Sequence, residues 1–208
     1  MNAFYYVFRL YPKLRSLFHC YWNRIWFRII GIKYGKNMRV FDKIYIHGNG
    51  NITIGDNFVF TSGAGINPIC RNILGAISVP FKNSQIIIGN NVGISSACLW
   101  AKERIVIGNN VNIGGSCMIL DNDSHPHDYI KRRIDYCEYV GLEKYSHDIP
   151  TLPIFIEDDV WIGAHSLILK GVHIGARSII AAGSVVTSDI PSDSIAGGNP
   201  AKVIRKLC

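Results

Sequence analysis

The run IEDDVWIGAHSLILKGVHIGARSIIAAGSVVTSDI, residues 156–190, returns an aliphatic side chain at every sixth position: Ile156, Ile162, Ile168, Ile174, Ile180 and Val186. An amphipathic helix repeats at about 3.6 residues and a half-buried strand at about 2, so neither accounts for it. The second residue of a six is often small or acidic (Glu157, Gly163, Gly175, Ala181), and the fifth is small or β-branched (Val160, Ser166, Val172, Ser178, Ser184). A period of six marks a parallel β-helix. Each six supplies a short strand and a tight corner, three sixes close a triangular coil, and stacked coils share one core.

Upstream, the same pattern starts imperfectly at Val40, Ile46, Ile52 or Ile54, Phe60 and Ile66, and resumes at Ile88, Ile94, Ile107, Ile113 and Ile119. Ile54-Gly-Asp-Asn-Phe, Ile88-Gly-Asn-Asn-Val and Ile107-Gly-Asn-Asn-Val repeat one corner, built from residues that tolerate left-handed backbone angles. Residues 67–85 interrupt the repeat and are expected to bulge from a corner. The step from Ile88 to Ile107 is one coil plus an inserted residue. After Leu120 the pattern stops until Phe155 or Ile156, which leaves a polar loop at 121–154, and so long an excursion from a compact repeat is usually functional. Asn199 as N-cap with Pro200 at the first helical position predicts a short C-terminal helix over 199–208.

A chain of 208 residues, 48% hydrophobic, buries a core as one domain with appendages. Its net charge of +7 is uneven: residues 1–41 hold eight Lys and Arg and no Asp or Glu, leaving 14 basic against 15 acidic residues beyond. The basic balance therefore belongs to a tail, and no nucleic-acid partner is expected. Six cysteines (Cys20, Cys70, Cys98, Cys117, Cys137, Cys208) form no CxxC pair, so neither a zinc knuckle nor a disulfide framework is indicated and a reducing cytoplasm fits. Cys98 and Cys117 fall at the fifth place of a six and read as core filler.

In residues 1–36, Arg9, Lys13, Arg15, Arg24 and Arg28 interrupt every run long enough to span a bilayer, and no cleavable signal is expected. From Pro12 onward, Leu14, Leu17, Phe18, Tyr21, Ile25 and Ile29 recur at helical spacing, with Arg15, Asn23, Arg24 and Arg28 opposite. Two readings fit this basic amphipathic helix. It packs its apolar stripe on the open end of the β-helix or against another subunit, or it lies through residues 1–33 on an anionic membrane at the inner face.

Val160-Trp-Ile-Gly-Ala-His, Ala182-Gly-Ser-Val-Val-Thr, Gly198-Asn-Pro-Ala-Lys-Val-Ile-Arg and Asp121-Asn-Asp-Ser-His-Pro together resemble the hexapeptide-repeat acyltransferases over about residues 37–208. Period alone leaves the handedness open; the resemblance implies an all-β, left-handed parallel β-helix over 37–198, working as a homotrimer with sites between subunits. Within the family the chain resembles the maltose and galactoside O-acetyltransferases. It looks closer still to bacterial enzymes that O-acetylate capsular, exopolysaccharide or O-antigen sugars, a likeness carried by Ile66-Asn-Pro-Ile-Cys-Arg-Asn and the aromatic, basic N-terminus.

The resemblance implies acetyl-CoA as donor, no required metal, and His125, in the motif His125-Pro126, as the base that takes a proton from a sugar hydroxyl. His127 is its neighbour without the matching position. Asp121 and Asp123 either orient the imidazole, bind the acceptor or cap turns. Trp161 is either part of the acceptor or thioester pocket or an exposed corner aromatic at a subunit seam. The coenzyme A groove matches Gly163, Ala164, Ala182 and Gly183, whose small size leaves backbone amides open to the pantetheine arm. Thr187, Lys202 and Arg205 match positions that meet its adenosine and phosphate end. Ser95, Ser96 and Ala97 stand where galactoside-type enzymes carry sugar-contacting asparagines, and the loop is longer than theirs; a different, polymeric acceptor accounts for both, and so does drift. A small free sugar or xenobiotic is the alternative acceptor within the enzyme class, and two rivals come from other classes: a hexapeptide-repeat carbonic anhydrase, whose zinc motif His125, His165 and His173 do not form, and a non-catalytic β-helix scaffold.

Overall fold

Six turns of chain stack in register. The first turn comprises β1 (Lys33–Tyr34), β2 (Arg39–Phe41) and β3 (Ile44–His47); the second β4 (Asn51–Ile54), β5 (Val59–Thr61) and β6 (Gly75–Ser78). The third is β7 (Gln85–Ile88), β8 (Gly93–Ser95) and β9 (Cys98–Trp100); the fourth β10 (Arg104–Ile107), β11 (Asn112–Ile113) and β12 (Met118–Leu120). After helix α2 (Tyr129–Cys137) come β13 (Ile154–Ile156), β14 (Trp161–Ile162) and β15 (Leu167–Ile168), then β16 (His173–Ile174), β17 (Ile179–Ile180) and β18 (Val185–Val186). Every third strand pairs in parallel, so the chain winds three sheets: sheet 1 from β1 to β16, sheet 2 from β2 to β17, and sheet 3 from β3 to β18. The computed structural model describes residues 3–63, 69, 73–137 and 149–207, with side chains for all of these except 3–10, 12–13 and 134–137.

The sixfold aliphatics become ladders through the core. In sheet 1, Ile54, Ile88, Ile107, Ile156 and Ile174 are consecutive partners. Sheet 2 stacks Val40, Phe60, Ile94, Ile113, Ile162 and Ile180. Sheet 3 stacks Ile77, Leu99, Ile119, Ile168 and Val186. All these side chains are buried, and each Ile contributes about 2 kcal/mol of transfer free energy. Ser166, Ser178 and Ser184 are buried too; their hydroxyls are satisfied by the carbonyls of Gly163, Pro191 and Ala181.

The fourth residue of each six takes a left-handed conformation, whatever its type: Asn57, Asn91, Asn110, Ser116, Asp159, His165 and Arg177 all have φ between 57° and 61°. A non-glycine residue in that region costs about 1 kcal/mol. Between sheets 1 and 2 a side-chain ladder offsets the cost. Asn37 donates to Asn57 at 3.0 Å, Asn57 to Asn91 at 2.8 Å, Asn91 to Asn110 at 2.9 Å and Asn110 to Asp159 at 3.0 Å.

Helix α1 (Ala3–Ile29) covers the first turn, beginning upstream of Pro12. It meets the open strand end with its polar side, and not with the apolar stripe as one of the two readings has it. Asn23 is buried and donates to the carbonyls of Val40 and Asp42, Arg24 donates to the carbonyl of Met38, and Arg15 grips the Asp42 carboxylate at 2.6 and 2.8 Å. Phe27, fully buried, plugs the core beneath. An unpaired strand edge demands donors, and that demand outweighs the apolar stripe. The coils begin at Lys33, before the expected residue 37.

The chain ends differently from the helix expected over 199–208. Ser194–Gly198 forms β19, in parallel with β17, and Ala201–Lys206 forms β20, antiparallel to β19. Asn199 and Pro200, joined by a cis peptide, are the two-residue turn between them, after Gly198 at φ +104°. The same Asn-Pro pair that suits a helix start here serves a hairpin, because the edge of β19 offers β20 a full set of partners.

The interruption expected at 67–85 is shorter, since Gly75–Ser78 is β6 and Ile77 keeps its ladder. Ile66-Asn-Pro-Ile-Cys-Arg-Asn lies outside the described residues apart from Ile69, as does the loop centre 138–148. Cys117 is core filler, but Cys98 is half-buried and pairs with Met118. Five residues, not six, separate Ile94 from Leu99, so Ala97 takes the inward place.

Candidate active site

Strand β12 delivers the chain to Asp121, whose carboxylate is fully buried under the corner before β10. It accepts from the amides of Lys102 at 2.8 Å, Glu103 at 2.8 Å and Arg104 at 2.7 Å, and from the side chain of Asn122 at 3.1 Å. Asp121 is thus a backbone anchor, the turn-capping alternative. Asn122 bridges to Thr151 in antiparallel fashion, and the amides of Leu152 and Asp123 bond the carbonyls of Asp121 and Pro150. The two ends of the long loop are thereby tied together at its root.

From this root the loop turns out. The Ser124 amide donates to the Asn122 side chain at 3.0 Å, and the His125 amide to the Asp123 carbonyl at 2.7 Å. His125 is exposed, and Pro126 after it is buried. Asp123 joins two side chains: Lys170 Nζ at 2.6 Å on one oxygen and His127 Nε2 at 2.6 Å on the other. Burial pulls its carboxyl upward most strongly, but the hydrogen bonds from Lys170 and His127 together outweigh it and hold the group below the usual carboxylate range. Lys102 reaches the Ser124 carbonyl at 3.4 Å and lies 5.4 Å over the Trp100 ring.

Helix α2 begins beyond. Asp128 caps it by accepting from the amides of Ile130 and Lys131, bonds that lower its pKa, the Lys131 one most. Arg132 turns back onto the carbonyls of Pro126 and His127, both at 3.0 Å.

The second group of expected residues gathers at the corner between sheets 2 and 3. Gly163 lies directly against Ala182: a Cβ on Gly163 would stand 2.5 Å from the Ala182 nitrogen. The Gly183 amide bonds the Ala164 carbonyl at 2.8 Å, and the Ala181 amide bonds that of Ala196. The amides of Ala164 and Ala182 have no acceptor among the described residues. This column of small residues runs on into the terminal hairpin, where Lys202 pairs with Gly197 and Arg205 with Ile195, both cations exposed. Thr187 is exposed just after β18.

Trp161 and Ser95 lie elsewhere. Trp161 is 55% exposed on sheet 2 between Asn112 and Ile179, and Ser95, on β8 of that sheet, accepts from Thr61 at 3.3 Å. His125 leaves the chain from sheet 3. Lys170 and Lys102 were absent from the expected set, and His127 entered it only as the neighbour of His125. His127 stands four residues from Asp123, a local signal; Lys170 stands 47 away and carries none. His173 bonds Glu157 at 2.9 Å on sheet 1, away from the loop root. Among the described residues, no cluster of three His, Cys, Asp or Glu side chains could hold a metal ion.

Comparison with known proteins adds to this geometry. Over 135 residues, 64% of the chain, the sequence is 41% identical to a Staphylococcus aureus protein that bears the name of an acetyltransferase, and the chain spans 62% of that relative's length. The N-acyltransferase AntD of Bacillus cereus, solved as a mutant with dTDP-4-amino-4,6-dideoxyglucose and coenzyme A, shares the fold at TM-score 0.67 and 20% identity, over 89% of each chain. A hexapeptide-repeat-containing acetyltransferase of Vibrio cholerae, complexed with acetyl-coenzyme A, matches at TM-score 0.52 and 25% identity, over 100% of this chain and 91% of its own. Residues 153–188, the run whose sixfold period organises the coils, match the family of bacterial transferase hexapeptides, described as six repeats.

Proposed function

We propose that this protein is an acetyltransferase that moves an acetyl group from acetyl-CoA to a hydroxyl of a sugar, in a bacterial surface polysaccharide or its precursor. The observation that carries the reading is His125: an exposed imidazole on a loop whose root is fixed by Asp121 and by the Lys170–Asp123–His127 contacts. It is supported by the small-residue column at Gly163, Ala164, Ala182 and Gly183, whose open amides and neighbouring Lys202 and Arg205 suit a pantetheine arm and an anionic nucleotide. The named acetyltransferase relatives point the same way.

In the proposed reaction, His125 accepts the proton of the acceptor hydroxyl as that oxygen attacks the thioester carbonyl. The tetrahedral adduct collapses with cleavage of the carbon–sulfur bond, and the imidazolium returns its proton to the departing thiolate. The products are the acetyl ester and free coenzyme A. Trp161 and Ser95, which sit on sheet 2 while His125 leaves sheet 3, would line the same acceptor pocket across a seam between copies. A left-handed winding and a homotrimer complete the proposal.

The test follows free thiol release from acetyl-CoA against bacterial polysaccharides, simple sugars and an amino sugar. Release is expected with a polysaccharide or sugar acceptor and falls by about a thousandfold in His125→Ala with the β-helix intact. Unchanged release in His125→Ala overturns the role of His125, and no release with any acceptor favours a scaffold.

A further inference from the structure

The face of α1 opposite its docked side has no partner among the described residues. One helical turn takes about 3.6 residues, so Ser16, His19, Asn23 and Phe27 form the line that meets the first coil. Leu14, Leu17, Phe18, Tyr21 and Ile25 fall on the far side, with Tyr11, Trp22 and Ile29 beside them, and each is exposed, Leu17 by 66% and Phe18 by 61%. So wide an apolar face, over residues 11 and 14–29, or about 27 Å of helix, marks a contact surface.

Its margins identify the occupant. Arg24 borders the apolar strip, Arg28 lies at its C-terminal end, and exposed Lys33, Lys36 and Arg39 continue the positive charge past the helix. No acidic residue occurs before Asp42, and Arg15 already neutralises that one. An apolar strip rich in Tyr and Trp beside cations matches the boundary between acyl chains and anionic headgroups. A second copy of the chain would bring the same uncompensated positive charge against itself. No helix among the described residues is long and apolar enough to cross a membrane, so this one would lie in the plane.

We infer that α1 seats the protein on an anionic bilayer surface, with the tyrosine and tryptophan rings at the headgroup boundary and the β-helix projecting from the membrane. The inference is independent of the proposed chemistry.

The test is co-sedimentation of the full chain with vesicles of phosphatidylcholine alone and of phosphatidylcholine with phosphatidylglycerol. The protein is expected to pellet with the anionic vesicles, less with the neutral ones, and less again at high salt. The paired change Leu17→Glu and Phe18→Glu alters only exposed side chains. It is expected to lower vesicle partitioning about tenfold or more, with an unchanged far-ultraviolet spectrum. Protein that stays in the supernatant with both vesicle types overturns the inference. So does a pair of changes that separates copies in sedimentation velocity yet leaves vesicle binding as it was, because the face then belongs to a second copy.

Discussion

Lys170 Nζ stands 2.6 Å from Asp123 Oδ1, joining the corner after β15 to the loop that leaves β12. The bond spans 47 residues of sequence and two neighbouring coils, and it fixes the backbone two residues before His125. Lys170→Met is expected to lower turnover about tenfold with little change in KM for acetyl-CoA, and Lys170→Arg to restore part of it. Steady-state kinetics of the two variants decides; equal turnover in both and in the parent would make the contact incidental.

Acid weakens two carboxylate clamps. In Asp42, as in Asp123, burial pulls the carboxyl upward most strongly and the hydrogen bonds, chiefly that from Arg15, outweigh it, so both pKa values are depressed. A depressed folded value means that the stabilisation is complete above the ordinary carboxylate range near pH 4 and is lost as pH falls through the folded value. Melting temperatures of the parent and Asp42→Asn are expected to differ most above about pH 4 and to converge below it.

Asn110 separates backbone cost from side-chain gain. With φ at 57° and ladder bonds to Asn91 and Asp159, it loses both the bonds and the conformational tolerance on change to Ala, about 2 kcal/mol. Asn110→Gly keeps the conformation and loses only the ladder, so urea denaturation is expected to place it between the parent and Asn110→Ala.

Gly163 has no room for a methyl group. Its added Cβ would meet the Ala182 nitrogen at 2.5 Å and Cα at 2.8 Å, both backbone atoms that move only if coils part. Gly163→Ala is expected to cost about 2 kcal/mol and to weaken acetyl-CoA binding, measured by calorimetry beside a melting curve.

The coils were legible because one residue in six is aliphatic and nothing else in the chain has that period. The left-handed fourth place was less so: Asn and Gly announce it, but His165 and Arg177 occupy it through coil geometry alone. Two readings of α1 stayed open because hydrophobic pattern speaks only for side chains. The bare carbonyls of Met38, Val40 and Asp42 recruit Asn23 and Arg24 instead. At the site, Asp121-Asn-Asp-Ser-His-Pro marked the loop root, but not that Asp121 serves the backbone of 102–104 and Asp123 a distant lysine.

A repeat that pairs each coil with the next carries no internal instruction to stop, and in principle it templates an endless fibre. Two elements of this chain oppose that growth. α1 roofs the first coil, and at Gly198–Ala201 the backbone reverses, so that the last strand of sheet 2 runs against the others and presents Lys202, Arg205 and Lys206. An arriving coil would find its direction refused and its approach repelled. Along sheet 2, stacking is therefore limited by the polypeptide itself and not by concentration.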